Sequence, residues 1–145
     1  MYSLLQMTGE FSGVGINHAD ESFTGRMTLN PVTGNRAVSL IFTALGDTGE
    51  VFHDERTLIG FDPAGELVMV SVSNNTGAVM QYHLHHREKG QLVFQFGDAA
   101  LEHTFRERRE MIVHDNGDVT YRFSWGAPGE PFQEQSVVRM MQTPG

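Results

Sequence analysis

Turn signals punctuate this chain at nearly even intervals, and that rhythm constrains its fold more than any other feature. They read Asn30-Pro31-Val32-Thr33-Gly34, Gly46-Asp47-Thr48-Gly49, Asp62-Pro63-Ala64-Gly65, Asn74-Asn75-Thr76-Gly77, Arg87-Glu88-Lys89-Gly90, Asp115-Asn116-Gly117 and Gly126-Ala127-Pro128-Gly129. Glycine supplies the positive φ such corners need, and Asp and Asn stabilise them through their own side chains. The intervening runs, rich in Val, Ile, Phe, Thr and Tyr, carry strand signals. Ten strands are expected, at roughly 9–17, 22–30, 35–45, 50–61, 66–73, 78–86, 91–97, 101–114, 118–125 and 132–142. Only Ser3–Met7 suggests a short helical turn. The charged run Arg106–Glu110 stays a strand, because Phe105 and Met111-Ile112-Val113 flank it and a hairpin turn follows.

Short links make consecutive strands antiparallel neighbours, and an up-and-down array of this size removes its exposed edges by closing on itself. The expected fold is therefore an all-β, antiparallel up-and-down barrel of about ten strands. A jelly roll needs long connections between sheets, and the sequence has none. No linker or low-complexity tract divides the chain, so 1–145 is expected to be one domain. A chain of 145 residues can bury roughly 68–70% of its unfolded surface, which leaves room for a core and a modest cavity.

Composition narrows the function classes. Ten Lys+Arg against 18 Asp+Glu give a net charge of −8, the wrong sign for neutralising phosphates, so nucleic acid is not an expected partner. The absence of Cys removes disulfides, thiolate metal sites and a thiol nucleophile. No apolar run reaches the ~18 residues of a membrane span, and Met1–Met7 is too short and uncharged for a signal peptide. A soluble, cytoplasmic chain with no membrane partner is expected. Nine of the ten basic residues are Arg, with Lys89 the exception. Arg favours planar bidentate pairing, and a homodimer is one expectation for this bias. Arg106 and Arg108 are expected to point outward beside Glu110.

Alternation through the turns assigns the faces. A three-residue loop at Asp115-Asn116-Gly117 pairs Val113 with Val119, Met111 with Tyr121 and Arg109 with Phe123. The apolar series Phe105, Met111, Val113 and Val119, Tyr121, Phe123, Trp125 then shares one face, and Glu107 and Arg109 are carried inward with it. A four-residue loop at Gly46–Gly49 pairs Leu45 with Glu50 and Phe42 with His53. It turns Val51, His53, Glu55, Thr57, Ile59 and Phe61 inward. Buried charges must be paired or hydrogen-bonded, and a few polar groups on apolar walls are what a small-molecule site looks like.

Other chemistry is weaker. Tyr82-His83-Leu84-His85-His86 carries two imidazoles on one strand face, a spacing suited to a metal, and resembles the first cupin motif with Gly77 ahead of it. Glu88 follows too early for that motif, however, and the second motif is missing. The apolar residues Met80, Tyr82 and Leu84 also put His83 and His85 on the outer face. No Gly-x-Ser-x-Gly elbow, phosphate loop or dinucleotide fingerprint occurs. His53 with Glu55 or Glu107 is a candidate acid-base pair if the barrel brings them together.

Gly9-Glu10-Phe11 and Arg139 in the last strand resemble the calycin pattern (lipocalins, fatty-acid-binding proteins and relatives), in which Gly-x-Trp on the first strand packs against a late Arg or Lys. Phe11 stands where Trp is usual. Gly34-Asn35-Arg36-Ala37 and Leu58-Ile59-Gly60-Phe61-Asp62 resemble the Leu-Gly-Gly-Arg and Leu-Gly-Tyr-Asp segments of a bacterial calycin-like family of uncharacterised proteins. Nitrobindin-like haem-binding barrels share this architecture, but no histidine here aligns with their haem ligand. The resemblance implies a barrel holding a small hydrophobic or amphipathic ligand, with no established activity to transfer.

The expected site follows from these faces. Phe42, Tyr82, Tyr121, Phe123 and Trp125 form the walls, and Arg109, with Glu107, His53 and Glu55, fixes a polar group of the ligand. No catalytic residue, metal or cofactor is expected. The competing expectations are a small cupin-like metal-dependent or His/Glu acid-base enzyme, and a solidly filled barrel serving as a structural or interaction module.

Overall fold

The computed structural model describes residues 8–32, 34–97 and 103–144. Ten strands follow one another: β1 (Gly9–Asn17), β2 (Ser22–Val32), β3 (Ala37–Leu45), β4 (Val51–Phe61), β5 (Leu67–Ser73), β6 (Met80–Glu88), β7 (Gln91–Phe96), β8 (Arg106–Val113), β9 (Val119–Gly126) and β10 (Gln133–Gln142). Each pairs antiparallel with the next, and β10 returns to β1 to close the barrel. The described residues form no helix, and so none long and apolar enough to cross a membrane. The suggested Ser3–Met7 turn lies outside the described residues, as do positions 101–102. The eighth strand is shorter than expected, starting at Arg106.

The β8–β9 hairpin has the expected register, with Arg109 opposite Phe123, Met111 opposite Tyr121 and Val113 opposite Val119. The β3–β4 hairpin does not. Phe42 faces Glu55 instead of His53, and Leu40 faces Thr57. The turn runs one residue longer, so that Leu45 faces Val51, and a bulge adds another before Ala44 meets His53. Each slip alone would turn the strand inside out, but together they restore parity. Glu55, Thr57 and Ile59 are accordingly buried, while Val51 and Phe61, at the two ends, are exposed.

Closure depends on β1 glycines. A Cβ on Gly13 would lie 2.1 Å from the Arg139 carbonyl oxygen of β10, so no side chain fits while the strands stay this close. The two segments that resemble the bacterial family also meet across one ladder, with Gly60 opposite Ala37. Asp62 then caps its turn by accepting from the Ala64 and Glu66 amides. The Phe11–Arg139 contact expected from the calycin pattern is absent. Phe11 points inward and is buried, whereas Arg139 lies on the outer wall, where its Nε donates to Asp118 at 3.0 Å. Alternation separates them: Met140, not Arg139, is the inward neighbour.

One end of the barrel is filled. Phe11, Leu29, Leu40, Ile59, Met69, Leu92, Met111, Val119 and Met140 belong to one buried cluster towards the end bearing the β2–β3, β4–β5, β6–β7 and β8–β9 turns. The opposite end is ringed by the β1–β2, β3–β4, β5–β6, β7–β8 and β9–β10 connections. On the outer wall, where it was expected, Arg106 is only 3% exposed. Its guanidinium donates to the Thr104, Ala127 and Glu130 carbonyls and lies over the Phe132 ring, holding the β9–β10 connection against the wall.

The seam makes a direct prediction. Gly13→Ala lowers stability by roughly 1–3 kcal/mol through overpacking, whereas Gly77→Ala, whose added methyl meets open space, stays within about 0.5 kcal/mol. Urea-unfolding midpoints of the two variants check both values.

Candidate functional site

The barrel interior is crossed at mid-height by an ionic layer. Arg109 on β8 is 1% exposed, and its Nη1 donates to Glu55 Oε2 at 2.6 Å and to Ser71 Oγ at 2.8 Å. Its Nη2 reaches Glu107 Oε1 only at 3.4 Å. The guanidinium lies 4.9 Å from the Tyr82 ring centroid and 5.2 Å from that of Phe123. Its buried Nε has no hydrogen-bond partner among the described residues. Burial of this kind is tolerated because charge meets charge between β8 and β4.

Glu55 is saturated with donors. Arg109, the Thr57 and Tyr121 hydroxyls and His53 Nε2 all converge on its carboxylate. His53 is held on its other side by Asn75, whose amide nitrogen sits 2.7 Å from Nδ1. The same Asn75 nitrogen also donates to the Phe52 carbonyl, which fixes the amide orientation. Asn75 therefore donates to Nδ1, leaving Nε2 to donate to Glu55. Both ring nitrogens are occupied, and His53 has none to offer a substrate in this arrangement.

Desolvation pushes the Glu55 carboxyl up, but the Arg109 charge and the His53 and Thr57 hydrogen bonds outweigh it and bring it down to about 2. Tyr82 and Tyr121 are pushed up, first by burial and then by the carboxylates beside them, against the opposing pull of Arg109. Both remain phenols that donate: Tyr82 to Glu107 and Tyr121 to Glu55. Arg109 is driven well up by its acidic neighbours despite its burial.

Above this layer lies a cavity of about 430 Å³. Among the sequence-predicted residues, Phe42, His53, Glu55, Glu107, Tyr121, Phe123 and Trp125 line it. Tyr82 and Arg109 do not; they lie behind the carboxylates that form its floor. The rings form a continuous belt: Phe42 is 5.0 Å from Tyr121 and 6.0 Å from His53, Phe123 is 5.8 Å from Trp125, and Trp125 is 6.2 Å from Phe105. Trp125 and Phe105 are part-exposed at the mouth, at 38% and 40%.

Sequence reasoning missed Phe23, Phe52, Asn75 and Gln135 as wall residues. Extending the alternation along β2 finds Phe23. Phe52 escapes it because strict alternation sends that side chain outward, whereas the β4 bulge re-aims it at the mouth. Gln135 sits at a second bulge, between Glu134 and Ser136. On the outer wall His83 and His85 are exposed, as expected. Among the described residues no group of three or more His, Asp or Glu is placed to hold a metal ion.

No protein-family model matches the chain, and no curated protein matches it. Among solved structures it is similar to Rv2717c from M. tuberculosis, at 13% identity over 99% of this chain and 96% of that one, with a TM-score of 0.69. That likeness shows a shared fold. A de novo designed fluorescence-activating β-barrel also aligns, at 12% identity over 99% of this chain and 100% of that one, with a TM-score of 0.44.

The Glu55 carboxyl titrates lower folded than unfolded, where its ordinary value is 4.5. Its contribution is therefore whole above pH ~4.5 and is lost as the pH falls towards 2, a span of about 3 kcal/mol. Glu55→Gln is expected to be less stable than wild type by about that amount at pH 7, with the two converging near pH 2. Urea titrations across this range check it, and parallel curves would contradict it.

Proposed function

We propose that this protein is a calycin-like barrel that binds a small hydrophobic or amphipathic ligand in the open half of its interior. One observation carries the reading: the 430 Å³ cavity falls within the ~300–1,000 Å³ usual for small-molecule sites. Its walls match that use, since aromatic rings dominate and the polar groups are gathered on the floor. A barrel filled throughout, acting as a structural module, would have no such space. An acid-base enzyme built on His53 is disfavoured by the two hydrogen bonds that occupy both of its ring nitrogens. A cupin-like metal centre is disfavoured by the outward histidines of β6.

The protein carries its own reporter, because Trp125 is its single tryptophan and lines the cavity. Titration with the uncharged probe N-phenyl-1-naphthylamine is expected to quench Trp125 saturably, at one probe per chain, as probe fluorescence rises. Ala44→Phe places bulk on the wall without adding a second tryptophan and is expected to weaken binding at least roughly tenfold, as loss of a filled apolar site does. Linear, non-saturating quenching in the folded wild-type protein would overturn the reading.

A further inference from the structure

The floor of the cavity is unequal in two ways. The first is charge. Glu55 and Glu107 bring two carboxylates, and Arg109 brings the one guanidinium that they share. Two carboxylates thus share one guanidinium in a site where all three residues are at most 1% exposed. Buried charge is normally balanced by a partner.

The second is coordination. A carboxylate has about four acceptor positions. Those of Glu55 are taken by His53, Thr57, Tyr121 and Arg109. Glu107 has the Tyr82 hydroxyl on Oε2 and only the long 3.4 Å approach of Arg109 on Oε1. Of the two cavity carboxylates, Glu107 has acceptor capacity to spare.

Its surroundings suit a cation. Trp125 is directly opposite Glu107 on β9, and Phe105 lies two residues before Glu107, just ahead of β8, with its ring 6.2 Å from that of Trp125 at the mouth. Aromatic faces attract cations. An anionic head finds no equivalent. Arg109 lies behind the floor with Nη1 already committed, and no Lys or Arg lines the cavity among the described residues.

We propose that the cavity selects ligands carrying a cationic, ammonium-type head on an apolar body, with Glu107 receiving the head and the Phe105–Trp125 rim flanking it. This rests on the cavity being a ligand site and gives that site a chemical class. An ammonium entering here replaces its lost hydration with a charge-assisted hydrogen bond to Glu107 and balances the floor. A carboxylate of equal size meets two like charges.

The test holds the apolar body constant. The full chain is titrated calorimetrically at pH 7 with 2-naphthylmethylamine, 2-naphthylmethanol and 2-naphthoate. The ammonium is expected to bind roughly tenfold or more tighter than the alcohol, as a hydrogen bond to a charged group implies, with the carboxylate weakest. In Glu107→Gln the ammonium-to-alcohol ratio is expected to fall to about one, since only the charge is removed. An alcohol or carboxylate that equals or beats the ammonium overturns the head-group assignment and leaves the cavity reading standing. Failure of all three probes overturns the cavity reading itself. An ammonium preference that survives Glu107→Gln removes Glu107 from the role. The wild-type ranking alone decides the head-group class if the variant does not fold.

Discussion

Three charged side chains placed inside a barrel set the terms for everything around them. Arg109, Glu55 and Glu107 come from β8 and β4 and meet out of water, so each needs partners in fixed positions. Those partners are the inward hydroxyls of Thr57, Ser71, Tyr82 and Tyr121, drawn from β4, β5, β6 and β9. Replacing such a group by well-packed apolar residues is often neutral or stabilising, while breaking one member is costly. The layer is therefore better understood as fixing a geometry than as adding stability. It separates an apolar plug beneath from a cavity above.

The same layer explains where charge sits in the molecule. The net charge of −8 is largely an outer-wall property, with pairs such as Arg122–Glu110 and Arg56–Asp54 spread across exposed strands. Pairs of this kind are worth little individually. The inner charges are few and tightly coordinated. Arg109 serves the interior, and Arg106 serves the wall by fastening the β9–β10 connection through the Ala127 and Glu130 carbonyls. That work suits Arg, whose planar head spreads several donors, better than Lys.

How much was legible in the sequence varies with the kind of physics involved. Strand number, order and closure were, because turn chemistry is local and an unpaired edge is unfavourable wherever it occurs. The inward placement of Glu107 and Arg109 was legible from one short hairpin whose two apolar series agree. The β3–β4 register was not. A longer turn and a bulge, each shifting by one residue, cancelled in parity, so Glu55 and His53 fell on the expected face opposite unexpected partners. Phe52 shows the cost of a bulge unseen: a wall residue that alternation assigns to solvent. That Arg109 would be sealed beneath the carboxylates, instead of facing a ligand, depends on side-chain reach across the barrel, which no strand pattern encodes.

The ionic layer divides the interior, leaving one half open and the other closed. Methyl labelling of methionine tests it directly, since Met69, Met111 and Met140 lie buried on the filled side while Phe42 and Trp125 line the open side. With an apolar aromatic probe bound, nuclear Overhauser contacts should join the probe to the Phe42 and Trp125 rings and be missing to those three methyl groups. Strong contacts from the probe to Met69 or Met111 would contradict this, because they would mean that the layer does not seal the barrel.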